Sequence, residues 1–394
     1  MNRHSGSLFA VSLVASSLVV AGCGIPPSEA SSASSTHTYY IAAEEVVWDY
    51  AAGGVNRITG EPYGEDEAFW LESTAHRIGN VYKKALYQEY TDETFTTLKA
   101  RPPEWEHLGI LGPLLRAEVG DTIRIVYRNN TPFPNGLHPH GVFYDKDSEG
   151  APYADNTSGA DKADDGVPTG GTHTYIWPVP ERAGPGPGDP NSVFWMYHSH
   201  TDEIADVNAG LIGPMIITAR GQTGTNGLPE GVDRELIVAF NEVSENESYY
   251  LRENIQTYTG RPDEVIVTKD PFGAIALVTP DPTVAPELNL MATMNGFLYG
   301  NLPGLTMRVG QRVRWYLMGT TNFELHAPHW HGNTVLIEER RSDVAALLTM
   351  GMIIADMEPD NPGIWLFHCH VGGHLQGGMS ALYTVEGDVA VASR

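Results

Sequence analysis

Residues 366–379 read Leu-Phe-His-Cys-His-Val-Gly-Gly-His-Leu-Gln-Gly-Gly-Met, and no other stretch of the 394-residue chain restricts its fold as tightly. In an extended strand, successive side chains point to opposite faces. Cys369 therefore looks one way while His368 and His370 look the other. A thiolate, imidazole and a weak, distant thioether are the donors of a blue copper site. Cys369 and His374 supply the thiolate and an imidazole, and Met379 the axial thioether. His368 and His370, on the opposite face, need metals of their own. The arrangement reads as a wire, in which an electron arriving at one copper leaves through the cysteine towards other metals.

Three further clusters show where such a wire would lead. They are His326, His329 and His331; His138 and His140; and His198 and His200. Of 15 histidines, ten fall in these clusters and the first motif. A His-x-His pair on one strand places both rings on one face, and two pairs from facing strands can hold a bridged metal pair. Neutral imidazole suits copper, zinc, iron and nickel, but the thiolate–thioether set selects copper.

With these motifs the chain resembles the multicopper oxidases, and among them the ceruloplasmin-like branch. The resemblance covers most of the mature chain and includes residues 78–84, 101–109 and 315–319. It implies that His326 joins Cys369, His374 and Met379 at a type 1 copper. It implies a type 2 copper on His138 and His329, and a type 3 pair on His140, His198, His200, His331, His368 and His370. That makes four coppers per chain, and the ten clustered histidines are all used. The implied reaction is four one-electron oxidations of a reductant coupled to reduction of dioxygen to water, with electrons passing through Cys369 to His368 or His370. The protein fixes geometry and potential while the cofactor carries the chemistry.

The expected fold is all-β. Gly at 42 and Pro at 27 suit a turn-rich β protein. A degenerate repeat supports two sandwiches. Residues 111–128 and 299–317 each lead through a glycine turn into an alternating strand, then a histidine cluster. Each half closes with His-x-His and a glycine-rich strand. The resemblance makes both sandwiches cupredoxin-like Greek keys. The expected boundaries are a signal peptide at 1–22, a tether at 23–38, domain 1 at 39–220, a linker at 221–231 and domain 2 at 232–388. Short helices are expected within 82–98 and 343–350. Where domain 2 has Cys369, domain 1 has Ser199, a hard hydroxyl that cannot replace a thiolate. Domain 1 is thus expected to lack a type 1 copper and to supply only trinuclear ligands. Each half carries four of those ligands. In larger relatives the first and last domains meet to complete the centre, so a head-to-tail homotrimer with shared centres is expected here.

Arg3 and His4 followed by an apolar run to Ala21 read as an export signal. Residues 19–23 resemble a lipobox, so Cys23 is the expected lipidation site and the lipid the only membrane attachment. The only other cysteine is Cys369, which leaves no disulfide for an oxidising compartment. A net charge of −25 argues against nucleic acid as a partner.

The acidic loops at 144–150 and 161–165 resemble a ceruloplasmin-type cation loop, implying calcium on the Lys146 carbonyl, Asp161, Asp164 and Asp165. Solvated acidic loops are the equal alternative. Asp202 and Glu203, next to His200, are candidates for proton delivery. Met350, Met352 and Met357 lie in an apolar segment and read as core filler. The reductant is open between a phenol, Cu⁺ and Fe²⁺. Glu287 occupies a position similar to an iron-binding acid of the branch, but Ala292 and Gly373 stand where iron-oxidising relatives carry histidine and aspartate. Two rival readings are a two-domain copper nitrite reductase, in which eight trinuclear histidines would be surplus, and a non-enzymatic copper-binding cupredoxin module, which would not need a complete ligand set.

Overall fold

Strands that read as continuous apolar runs are buried on both faces, and they explain how the chain is layered. The computed structural model describes residues 34–269, 273–320 and 325–387. Cys23 and the signal segment lie outside them. Two sheets form the N-terminal sandwich. One orders Val81–Tyr90, Thr36–Asp49, Thr122–Asn129 and Thr172–Pro178. The other orders Leu115–Glu118, Ile212–Thr218, Ser192–His198 and His138–Pro139. In the C-terminal sandwich, one sheet orders Leu290–Met294, Arg234–Ser244, Val313–Thr320, Met352–Met357, Val335–Ile337 and Arg340–Ser342. Its partner orders Thr306–Arg308, Ser380–Glu386, Gly363–Cys369 and Pro328–Trp330.

The internal repeat survives as topology. Thr36–Asp49 runs parallel to Thr122–Asn129, as Arg234–Ser244 does to Val313–Thr320. Leu115–Glu118 runs parallel to Ile212–Thr218, as Thr306–Arg308 does to Ser380–Glu386. The registers put His138 opposite His198 and His329 opposite His368. The two histidine clusters of each half are thus neighbours by strand pairing.

Alternation along each strand divides its side chains between cores. Val193 and Tyr197 enter the N-terminal core, while Phe194 and Met196 enter a cluster between the sandwiches. Leu236, Val238 and Phe240 enter the C-terminal core, while Ile237 and Ala239 face that same cluster. Trp315 and Leu317 point inward, Tyr316 and Met318 outward to the N-terminal half. The described residues accordingly fall in one compact unit. Met357 lies in the C-terminal core, and Met350 and Met352 pack against the cluster between the sandwiches.

Two expected helices are strands or turns instead. Residues 81–90 form a strand paired with Thr36–Asp49 over ten positions. Tyr82 and Leu86 face the cluster between the sandwiches, with fully buried Lys84 on the same face of the strand. Residues 343–350 contain no helix; Val344 and Leu347 bridge His329 and His326. The helices present are short: Glu65–Leu71, Glu203–Ala209, Leu251–Tyr258 and Gly372–Gln376. None of the described helices is long and apolar enough to cross a membrane.

Polar groups fasten the two halves. His107 is fully buried, accepting the Ile237 N–H at Nε2 (3.1 Å), and burial lowers its pKa to about 3. Arg314 forms a paired contact with Asp356 (2.7 and 2.9 Å) and reaches the Ser192 hydroxyl at 2.8 Å. Deepest is Lys84, whose Nζ lies 2.5 Å from Glu245 Oε1 and 2.8 Å from the Asn208 carbonyl. Both side chains are fully buried. The Tyr50 hydroxyl donates to the same carboxylate oxygen at 2.5 Å. Burial pushes Lys84 down and Glu245 up, each towards its neutral form, and their mutual attraction opposes this. Removing one partner of such a pair strands a buried charge at a cost of about 3–5 kcal/mol, whereas an apolar pair of similar volume is close to neutral. Lys84→Met should lower unfolding free energy by that amount in chemical denaturation, and adding Glu245→Leu should recover most of it. Equal loss in the single and double variants would show that the charges are not coupled.

Candidate metal centre

Backbone geometry sorts the clustered residues into three groups. The first is His326, Cys369 and His374, all buried, whose donor atoms lie within 4.8 Å of one another. Cys369 Sγ lies 4.0 Å from His326 Nδ1 and 3.5 Å from His374 Nδ1. The Ala327 N–H donates to Sγ at 3.3 Å, a bond that favours a thiolate. Fully buried Met379 is tied in by its backbone: its carbonyl accepts the Cys369 N–H, and its N–H donates to the His374 carbonyl. His374 is carried by the helix Gly372–Gln376 and His326 by the segment bridged to Leu347. Burial, helped by neighbouring His374, holds the His326 pKa near 4, so the imidazole stays neutral and able to ligate.

The second group is His329, His331, His368 and His370. His331 Nε2 and His368 Nε2 lie 3.2 Å apart. The His370 ring is tilted against His329 and His368, with centroids 4.7 and 4.9 Å away. The third group, His138, His140, His198 and His200, repeats the pattern. His140 Nε2 and His198 Nε2 are again 3.2 Å apart. His138 and His200 rings are 5.2 Å apart. Two ring nitrogens at that spacing cannot both carry protons, but both can bind one cation. Burial first, and then neighbouring imidazoles, lower the pKa of His140 to about 4 and push His198 well below the usual histidine value. The same causes lower His331, and lower His368 against its bond to the Cys369 carbonyl.

Backbone carbonyls fix which nitrogen faces the centre. Nδ1 of His138 donates to the Glu149 carbonyl (2.7 Å) and Nδ1 of His329 to that of Asp343 (2.8 Å). Nδ1 of His198 reaches the Ser199 carbonyl (3.0 Å) and Nδ1 of His368 that of Cys369 (2.8 Å). A proton held at Nδ1 leaves the Nε2 lone pair free for a metal, the usual support of a ligating histidine. These carbonyl partners had no signature in the sequence. The donor sets therefore fit copper: soft sulfur with imidazole in one group, neutral imidazoles in the others. Among the described residues, no ring contact or hydrogen bond joins the two quartets.

Other expected residues have mixed surroundings. Asp202 caps the helix Glu203–Ala209, and Glu203 Oε2 lies 3.4 Å from His200 Nε2. In the acidic loops, Lys146 contacts Glu149 (2.5 Å) and Asp155 (3.1 Å), while Lys162 bridges Asp155 and Asp165. Asp164 accepts the Gly150 N–H at Oδ2, and its Oδ1 is buried without a partner. Asp161 lies in the 3₁₀ turn Gly159–Lys162. Glu287 is clamped by Arg77 at 2.7 and 3.2 Å. Ala292 is buried in the C-terminal core, while a side chain at Gly373 would meet open space.

Two cupredoxin-like sandwiches with a sulfur–imidazole group on one strand face and histidine quartets elsewhere define a copper protein of the oxidase class. The multicopper oxidase family models match residues 108–222 and 278–388, and the chain belongs to that family. Within it the chain is similar to the ceruloplasmin-like branch. It is 43% identical over 355 residues to human ferroxidase HEPHL1, covering 89% of this chain and 29% of that protein. It is 42% identical to human hephaestin (89% and 29%) and 40% identical to human ceruloplasmin (88% and 32%). The chain thus spans less than a third of the length of these relatives. A solved multicopper oxidase superposes with a TM-score of 0.53 at 16% identity, covering 89% of each chain. A Nitrosomonas europaea copper nitrite reductase superposes at 0.54 and 14% identity, covering 90% of this chain and 95% of its own, which shows a shared fold alone.

Glycine closes the turn after each upstream pair. Gly141 (φ +77°) and Gly332 (φ +74°) have Cβ positions 2.3 Å from Trp195 and Trp365. Overpacking of this kind costs about 1–3 kcal/mol. Gly332→Ala should lower stability by that amount and reduce metal retention by the adjacent His331. Unchanged melting and copper content would show that the tryptophan contact does not position the turn.

Proposed function

We propose that the chain is a multicopper oxidase that takes single electrons from a reductant and uses them to reduce dioxygen to water. One observation carries the reading: consecutive residues of a single strand end, His368, Cys369 and His370, serve two different groups of donors. When bound, copper would supply the one-electron transfers and the dioxygen chemistry. His326, Cys369, His374 and Met379 would hold a type 1 copper, and His138 with His329 a type 2 copper. His140, His198, His200, His331, His368 and His370 would hold a type 3 pair, giving four coppers per chain. Cys369 lies one peptide from each of His368 and His370, which makes the backbone the short electron path. Glu203, beside His200, and Asp202 at the helix start are placed for proton delivery. Calcium at Asp161, Asp164, Asp165 and the Lys146 carbonyl is the further metal proposed; the orphaned Asp164 oxygen supports it, and the two lysines compete with it.

The reductant side favours a donor other than Fe²⁺. The Glu287 carboxylate is engaged by Arg77, and the segments around the type 1 group expose Leu325, Leu348 and Leu375. These features support a phenol or Cu⁺ over Fe²⁺, although relatives carry the name ferroxidase. We further propose export as a lipoprotein anchored through Cys23, and domains at 39–220 and 232–388 joined by 221–231.

The separate quartets support assembly into a homotrimer in which domain 1 of one copy meets domain 2 of the next. Each trinuclear centre would then combine His138, His140, His198 and His200 of one copy with the other quartet of its neighbour.

Two experiments test these readings. Cys369→Ser should abolish the blue absorption near 600 nm and oxygen uptake while type 2 copper remains; a persisting blue band would reject the type 1 assignment. For the shared centre, a chain lacking His138 and His140 is refolded together with one lacking His329 and His331. Oxygen uptake should return in mixed trimers, because one junction then pairs two intact halves. Mixed assemblies, verified by sedimentation, that stay inactive would reject it.

A further inference from the structure

The N-terminal sandwich retains the frame of the type 1 group without its donors. Cys369 donates its N–H to the Met379 carbonyl, and Ser199 donates its N–H to that of Leu211. Cys369 Sγ accepts the Ala327 N–H, and Ser199 Oγ accepts the Gly136 N–H at 3.1 Å. Ala327 and Gly136 each precede the first histidine of their quartet, His329 and His138, by two residues. In the same register Asn135 stands where His326 stands. The short helix after each His-x-His pair supplies the last member: His374 in one half, Asp206 in the other.

In the C-terminal half, a metal on Cys369 and His374 would join strand to helix. In the N-terminal half a hydrogen bond joins them. Ser199 Oγ donates to Asp206 Oδ2 at 2.6 Å, and the Asp202 N–H donates to the same oxygen at 2.9 Å. Both side chains are fully buried. Ser199 thus sits between three segments that carry or adjoin histidines. These are the turn into His138, the strand end holding His198 and His200, and the helix that follows. Asn135 continues the network on the first of them, donating to Thr131 Oγ1 at 2.7 Å and Asn129 Oδ1 at 3.2 Å. A buried bond of this kind is held in place because breaking it strands polar groups away from water.

We propose that Ser199 and Asp206 form a metal-free brace that replaces the lost type 1 copper and positions the His138, His140, His198 and His200 quartet. They are positioning residues, acting through the backbone on either side of Ser199. The inference rests on the reading of that quartet as type 2 and type 3 ligands.

The test uses the full chain with copper, in which the blue band reports the other sandwich independently. Asp206→Ala and the smaller change Ser199→Ala should keep the blue absorption and about one copper per chain. Both should lose the type 2 paramagnetic signal and the type 3 near-ultraviolet band at least tenfold. Asp206→Asn keeps an oxygen acceptor for Ser199 and the Asp202 N–H, and should restore both signals to near the parent level. Full type 2 and type 3 signals in Ser199→Ala would overturn the brace. So would an Asp206→Asn variant as defective as Asp206→Ala, since charge and not the hydrogen bond would then be the requirement. Loss of the blue band along with the others would reveal a general folding role and also overturn it. A parent chain that shows the blue band but never binds type 2 or type 3 copper would refute the quartet reading itself, and the brace with it.

Discussion

A strand has two faces, and everything particular to this chain follows from using both at one point. At Cys369 the inward face meets His326 and His374, while the neighbouring His368 and His370 turn to His331 and His329. The polypeptide therefore separates two groups of donors by a single residue, with no loop between them. Hydrogen bonding reinforces the division. The Ala327 N–H serves the sulfur on one side, and the Cys369 carbonyl holds the His368 ring on the other. The bond from Ala327 needs Gly363–Cys369 paired with Pro328–Trp330 in the register observed, so the site is a product of sheet pairing as much as of ligand chemistry.

The same sheet pairing occurs twice, and the two copies differ in how they fill its inward face. One filled it with thiolate, imidazole and thioether. The other holds Ser199, Asp206 and the Asn129–Thr131–Asn135 network, a fully buried polar cluster tied by hydrogen bonds in which Asp206 Oδ1 alone is left without a partner. The outward faces did not diverge: both halves keep the His-x-His pairs, the paired register and the glycine turn against a tryptophan. Conservation of geometry on one face and replacement on the other is what alternation permits. A change of inward chemistry leaves the outward histidines where they were, provided something still ties strand to helix.

The grouping of the histidines with Cys369 was legible in the sequence because their spacing matches strand periodicity, and so was the all-β, two-sandwich fold. Less legible was anything decided at long range. Residues 82–98 suggested a helix because Lys83, Lys84, Gln88 and Glu89 break up the apolar pattern of a buried strand. Lys84 is nonetheless inside, held by Glu245 from the other sandwich, 161 positions away. Residues 343–350 are a short apolar run of the sort that periodicity cannot assign. Their bridges to His326 and His329 decide the outcome. The carbonyls of Glu149 and Asp343 that orient His138 and His329 left no trace either, since a carbonyl is common to every residue type. Glu287 was visible as an acid of interest, but its engagement by Arg77 required the fold.

The contact between the sandwiches has a consequence for the oxygen-reducing centre as proposed. Apolar side chains from strands of both halves, the Lys84–Glu245 pair and the His107 contact fix one half against the other. Bringing the quartets together within one chain would mean breaking that layer, stranding buried charge and exposing Tyr50, Tyr82, Phe194 and Tyr316, each of which carries a large apolar payload. Meeting the quartet of a neighbouring copy, as proposed, would leave that layer intact. The stability of the single chain and the completeness of the centre thus draw on different surfaces. A chain would fold and bind its type 1 copper alone, yet acquire dioxygen chemistry only on association. An electron taken up by the free chain would rest on the copper that Cys369 would hold, with no site to discharge it, which would place control of turnover in assembly.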